Sequence, residues 1–83
     1  MRMFTYPQLQ KEKGVPGSRA TDYRKRKQGK RPKSRHFGRL RADPEPLWDE
    51  YIALIATGHS EEQATILAEK FFGELVAKGG AAK

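Results

Sequence analysis

The chain has 83 residues, a net charge of +7, a mean hydropathy of −0.87 and no cysteine. That length gives room for one small domain with a compact core, and the missing cysteine excludes disulfides and thiolate metal sites. No stretch approaches the roughly 18 apolar residues of a membrane span, and no signal-type apolar run opens the chain. A soluble protein of the cytoplasm or nucleoid is expected, with no membrane partner.

Charge is unevenly distributed. Residues 1–42 hold 14 of the 17 Lys and Arg against two acids, Glu12 and Asp22, a balance of +12, whereas residues 43–83 hold three Lys against eight acids, a balance of −5. Such a field draws polyanions to the N-terminal half, because each cation that neutralises a phosphate also releases condensed counterions.

In chain order, residues 5–13 read as a short helix with Thr5 as N-cap and Gly14 as the left-handed stop. Val15-Pro16-Gly17 then makes a tight connection. Ser18 caps a second helix that runs to about Gln28 and ends at Gly29. Ala20 and Tyr23 lie three apart and are expected to face inward with Val15, leaving Arg19, Arg24, Lys25, Arg26 and Lys27 around the rest of the circumference. Asp22 is placed to pair with Arg26 one helical turn on.

Pro32 breaks any further helix, and Phe37-Gly38 offers a turn between residues 34–37 and 39–42, which can pair as a small hairpin. By the two-residue alternation of a strand, Leu40 and Ala42 share one face, and Arg39 and Arg41 the other. Asp43-Pro44 reads as a helix start, the acid as N-cap and the proline in the first turn. Leu47, Trp48, Tyr51, Ile52, Leu54 and Ile55 follow as an apolar stripe that closes at Thr57-Gly58 and forms the expected centre of the core. Ser60-Glu61-Glu62-Gln63 fits a capping box. A last helix then carries Ala64, Leu67, Ala68, Phe71, Phe72, Leu75 and Val76 on one long face as far as Gly79-Gly80.

No catalytic constellation emerges. His36 and His59 lack metal-site spacing, Ser18, Ser34 and Ser60 serve better as caps or loop residues than as nucleophiles, and Gly14 and Gly17 do not form a phosphate loop. A non-enzyme without cofactor is expected. The basic second helix and the basic hairpin together supply both halves of a winged helix-turn-helix reader, whose second helix enters the major groove while flanking groups hold phosphates. Arg19, Thr21 and Arg24 are the candidate base readers; Lys25, Lys27, Lys30, Arg31 and Lys33 suit phosphates. Arg35, Arg39 and Arg41 place the wing against the backbone or in the minor groove. Tyr23 and Phe37 can stack on bases or pack in the core.

The ordering resembles the AlpA-like excisionases, small MerR-type winged helix-turn-helix proteins also called recombination directionality factors. The resemblance covers about residues 3–57. It rests on Tyr6 and Leu9, Gly14, Tyr23-Arg24, Lys27, Gly29-Lys30, Pro32-Lys33, the basic wing and Trp48. Lys25 and Arg31 stand where such proteins commonly carry apolar residues. The resemblance implies an architectural subunit that bends and coats DNA at a recombination site, helps an integrase to excise a mobile element and often regulates a nearby promoter.

The expected fold class is therefore mainly α with a small β-hairpin, a winged helix-turn-helix with an extra C-terminal helix. Residues 1–58 form the DNA-binding domain and 59–79 an amphipathic helix that covers the core or mediates self-association; 80–83 are a tail. Double-stranded DNA is the expected partner, with an integrase and further copies of the chain beside it. Three other readings fit the composition: a promoter-specific regulator without an integrase, an RNA-associated protein with a basic arm, and a protein-interaction module that works through its last helix.

Overall fold

Thr5 opens the first helix through a complete capping box: its hydroxyl accepts the Gln8 N–H, and the Gln8 side chain accepts the Thr5 N–H at 2.8 Å. The computed structural model describes residues 2–37 and 40–80. Helix α1 spans Tyr6–Lys13 and ends at Gly14, whose φ of +69° is the left-handed geometry that glycine adopts without strain. Gly17, at φ +104°, closes the following turn against Thr21, where an added Cβ would lie 3.2 Å from the threonine methyl. The turn is fixed from α1, since the Tyr6 hydroxyl and the Gln10 amide both donate to the Gly17 carbonyl, at 3.0 and 2.6 Å.

Helix α2, Arg19–Lys27, starts on the Ser18 cap. Strand β1, Met3–Phe4, pairs antiparallel with one edge of a longer strand, Leu40–Pro44, and Arg35–Phe37 pairs antiparallel with the other. In chain order these three are β1, β2 (Arg35–Phe37) and β3 (Leu40–Pro44). The hairpin register sets Arg35 opposite Ala42 and His36 opposite Arg41, and β1 sets Phe4 opposite Asp43. The hairpin is thus present close to its expected bounds, while β1 is an addition: two residues carry too little pattern to read as a strand.

Helix α3, Glu45–Ala56, begins one residue later than the Asp43-Pro44 signal suggests. Pro44 occupies the N-cap and no side chain caps the helix, because the Asp43 carboxylate is engaged inside the protein by Arg26. Helix α4, Glu61–Leu75, starts on Ser60, whose hydroxyl accepts the Gln63 N–H; this is one half of the expected capping box. A final turn of π geometry covers Val76–Gly80. The fold is mainly helical with a small antiparallel hairpin.

The core lies between α1, α3 and α4, where Leu9, Leu47, Trp48, Ala64 and Ala68 are fully buried and Phe4, Val15, Tyr51 and Phe72 nearly so. Each large side chain of this set stabilises the fold by about 1.5–3 kcal/mol relative to exposure. Helix α4 packs on α3 into this one core. Its inward face is narrower than the apolar pattern suggests: Thr65 is buried with its hydroxyl on the Glu61 carbonyl, whereas Leu67, Phe71 and Val76 are exposed. No described helix is long and apolar enough to cross a membrane.

Candidate nucleic-acid interface

Helix α2 is rotated relative to the sequence reading. Ala20 and Tyr23 are exposed, Tyr23 by 60%, and Asp22 and Arg26 face inward. This phase places the Asp22 and Arg26 side chains in an ion network that reaches across the interior. Arg26 donates from Nε to Asp22 at 2.8 Å, from Nη1 to Asp43 at 2.7 Å and from Nη2 to the other Asp43 oxygen at 3.2 Å. Its Nη1 also bonds the Ser34 hydroxyl. The guanidinium lies 5.3 Å from the Trp48 ring, within cation–π range. Burial by itself would lower the Arg26 pKa, but the hydrogen bonds with Asp43 and Asp22 hold it above its ordinary value.

Arg31 extends the network. It donates to the second Asp22 oxygen at 2.9 Å, to the Tyr6 hydroxyl and to the Pro16 carbonyl, and it is 3% exposed. Burial again depresses its pKa, and the bonds to Tyr6 and Asp22 more than offset this, leaving the value raised. Arg31 therefore cannot serve as the phosphate ligand expected from the sequence. It occupies an interior position instead.

Two more expected contacts are engaged by α4. Lys25 pairs with Glu61 at 2.8 Å, and Arg35 pairs with Glu69 at 2.7 Å while lying over the Phe72 ring. Thr21 is partly buried against the α1–α2 connection, its hydroxyl 3.2 Å from that of Ser18. Outside the expected set, Lys13 is held by Glu45 and Asp49, and its hydrogen bond with Asp49 is the leading cause of its raised pKa.

What remains is a set of five exposed cations, four of which line one groove. Arg19, Arg24 and Lys27 of α2, Lys33 of the following strap and Arg41 of β3 are all exposed, and none has an acid within ion-pair distance among the described residues. Lys30 is half-buried, and its carbonyl accepts the Tyr51 hydroxyl at 2.8 Å. Arg39 lies outside the described residues, and so does the Phe37 side chain. Because alternate strand residues share a face, β3 uses Asp43 to anchor α2 and directs Arg41 into the groove beside it.

The sequence reading missed the outward role of Ala20 and Tyr23 and the interior role of Arg26 and Arg31. The available signal was the acids: Asp22 and Asp43 are two carboxylates within and beside a basic segment, and each calls for a cationic partner if buried. Compared with models of protein families, with curated proteins and with solved structures, the chain has no match.

Proposed function

We propose that this protein binds duplex DNA as a winged helix-turn-helix, with α1, the turn and α2 as the helix-turn-helix and the β2–β3 hairpin as the wing. In this reading it is an architectural subunit of the excisionase kind, assisting an integrase in excising a mobile element; a promoter-specific regulator is the second reading within the same binding mode. The observation that carries it is the acid-free exposed face of α2, which runs from Arg19 through Ala20, Tyr23 and Arg24 to Lys27 and continues into Lys33 and Arg41.

With its side chains an α-helix such as α2 is about 10–12 Å across, which a major groove about 12 Å wide admits. Arg19 and Arg24 are the base readers, since a guanidinium can chelate the O6/N7 edge of guanine. Ala20 between them has no long side chain to hold the helix away from the base edges, and its methyl can meet that of thymine. Lys27, Lys33 and Arg41 take phosphates, supplying the salt-dependent part of the affinity. The ion network fixes the angle between α2 and β3, so reader and wing approach the duplex as one rigid unit.

The test is binding to the DNA flanking the protein's own gene, against random duplex and structured RNA, at several salt concentrations. Preference for one duplex that persists as salt rises supports the reading. Equal binding to all three, lost steeply with salt, would reduce the basic face to a polyanion patch and overturn it.

A further inference from the structure

Between α2, the N-terminal end of α1 and β3 runs an open groove of about 730 Å³. Three of its features point to the same kind of ligand. Its walls carry Arg19, Lys27, Lys33 and Arg41, four cations drawn from three segments of the chain and without acid partners among the described residues. Its two lining carboxylates, Asp22 and Asp43, are already neutralised by Arg26 and Arg31, so they offer an anion little repulsion. Its wall also presents Tyr23, an aromatic ring 60% exposed, with the Lys27 ammonium 6.0 Å from the ring centre.

An apolar or compact ligand does not use this arrangement. Arg19 and Lys27 are eight residues apart on one helix, about 12 Å along its axis, so a lone phosphate engages one end of the groove and leaves the other unused. A chain of phosphodiesters reaches both. The exposed ring adds what a polyanion patch lacks, a flat face for a base, and a cationic groove with an aromatic wall is the combination by which proteins hold single strands without reading sequence. In a duplex the bases are paired and stacked inside, out of reach of a ring on the groove wall.

We propose that this groove binds single-stranded nucleic acid, the sugar–phosphate chain running between α2 and β3 with one base stacked on Tyr23. The groove shares Arg19, Lys27, Lys33 and Arg41 with the proposed duplex-binding face and adds the Tyr23 ring, so a single strand and a duplex compete for one surface. The single strand contacts Tyr23 by its face and Lys33 and Arg41 by its phosphates.

The experiment is a fluorescence-anisotropy titration of the full chain with a labelled oligo-dT of eight nucleotides, roughly the site size of a small single-strand module, beside an abasic strand of equal length and charge. The expected result is tighter binding of oligo-dT than of the abasic strand, reduced about tenfold by Tyr23→Ala, retained by Tyr23→Phe and weakened by Lys33→Ala with Arg41→Ala. The exposed position of Tyr23 lets the variants fold, which circular dichroism checks. Equal binding of the two strands, or indifference to Tyr23→Ala, would overturn the proposal. A random duplex titrated in parallel separates the two readings: duplex binding without any base-dependent single-strand binding removes this inference alone, and loss of both removes the duplex reading with it.

Discussion

The Arg26 guanidinium grips both carboxylate oxygens of Asp43, at 2.7 and 3.2 Å, and so joins α2 directly to β3 across the interior of the protein. Both side chains are under a tenth exposed. Removing one partner from such a pair strands the other charge in a low-dielectric site, which costs about 3–5 kcal/mol. Arg26→Met and Asp43→Leu are each expected to lower the unfolding free energy in urea by that order. The double variant should lose less than the two single losses added together. A coupling energy near zero in this cycle would mean that the pair does not act as a unit.

The three arginine or lysine types of the basic half separate in their response to salt. Arg24→Ala is expected to lower site preference more than total affinity, because a bidentate contact to guanine discriminates by about 1–3 kcal/mol. Lys27→Ala should weaken binding to all sequences alike and flatten the salt dependence by about one phosphate's share. Arg31→Ala should do neither directly: it lowers the melting temperature, and at temperatures where the variant is folded it leaves the salt slope unchanged. A flattened slope for Arg31→Ala would place that guanidinium on a phosphate and contradict its burial.

Much of this was legible in the chain because local signals decide it. Thr5, Gly14, Ser18 and Ser60 mark helix ends through bonds to their immediate neighbours, and the Leu47–Trp48–Tyr51 spacing declares an inward face by itself. The phase of α2 was not legible. Periodicity ranks Tyr23 above Asp22 and Arg26 as an interior residue, and only the contact with Asp43, 17 residues beyond Arg26, reverses the ranking. The same long-range pairing moved Asp43 from helix cap to strand. Charge had the same limit: a balance of +12 says that polyanions are attracted, but Glu61 and Glu69, far along the chain, decide which cations are left to meet them.

Tyr51 gives the fold an alkaline limit. Burial pushes its phenol up to about 12, with the nearby Glu61 charge acting in the same direction. The unfolded chain releases that proton near pH 10, so between pH 10 and 12 the unfolded state binds fewer protons and stability falls as pH rises. The contribution is fully present below pH 10, and its loss reaches about 2 kcal/mol by pH 12. Tyr51→Phe gives up the hydrogen bond to the Lys30 carbonyl, about 1 kcal/mol at neutral pH, but removes this decline. Urea melts at pH 8 and pH 11 should therefore show a larger loss in the parent chain than in the variant. Parallel losses would assign the alkaline sensitivity to other groups.

Helix α4 sets how much of the basic surface is left without an acid partner. Glu61 and Glu69 occupy Lys25 and Arg35 through partly exposed ion pairs, which contribute only about 0.2–1 kcal/mol each to stability. Converting both to glutamine should leave the melting temperature nearly unchanged while releasing two cations beside the exposed basic face of α2. Affinity for random duplex is then expected to rise at low salt, with the dependence of log K on log salt steeper by up to about two phosphate contacts. Because this gain is blind to sequence, the ratio of specific to random binding should fall. An unchanged slope in the double variant would show that Lys25 and Arg35 do not reach phosphates even when released, and that α4 only holds them in place.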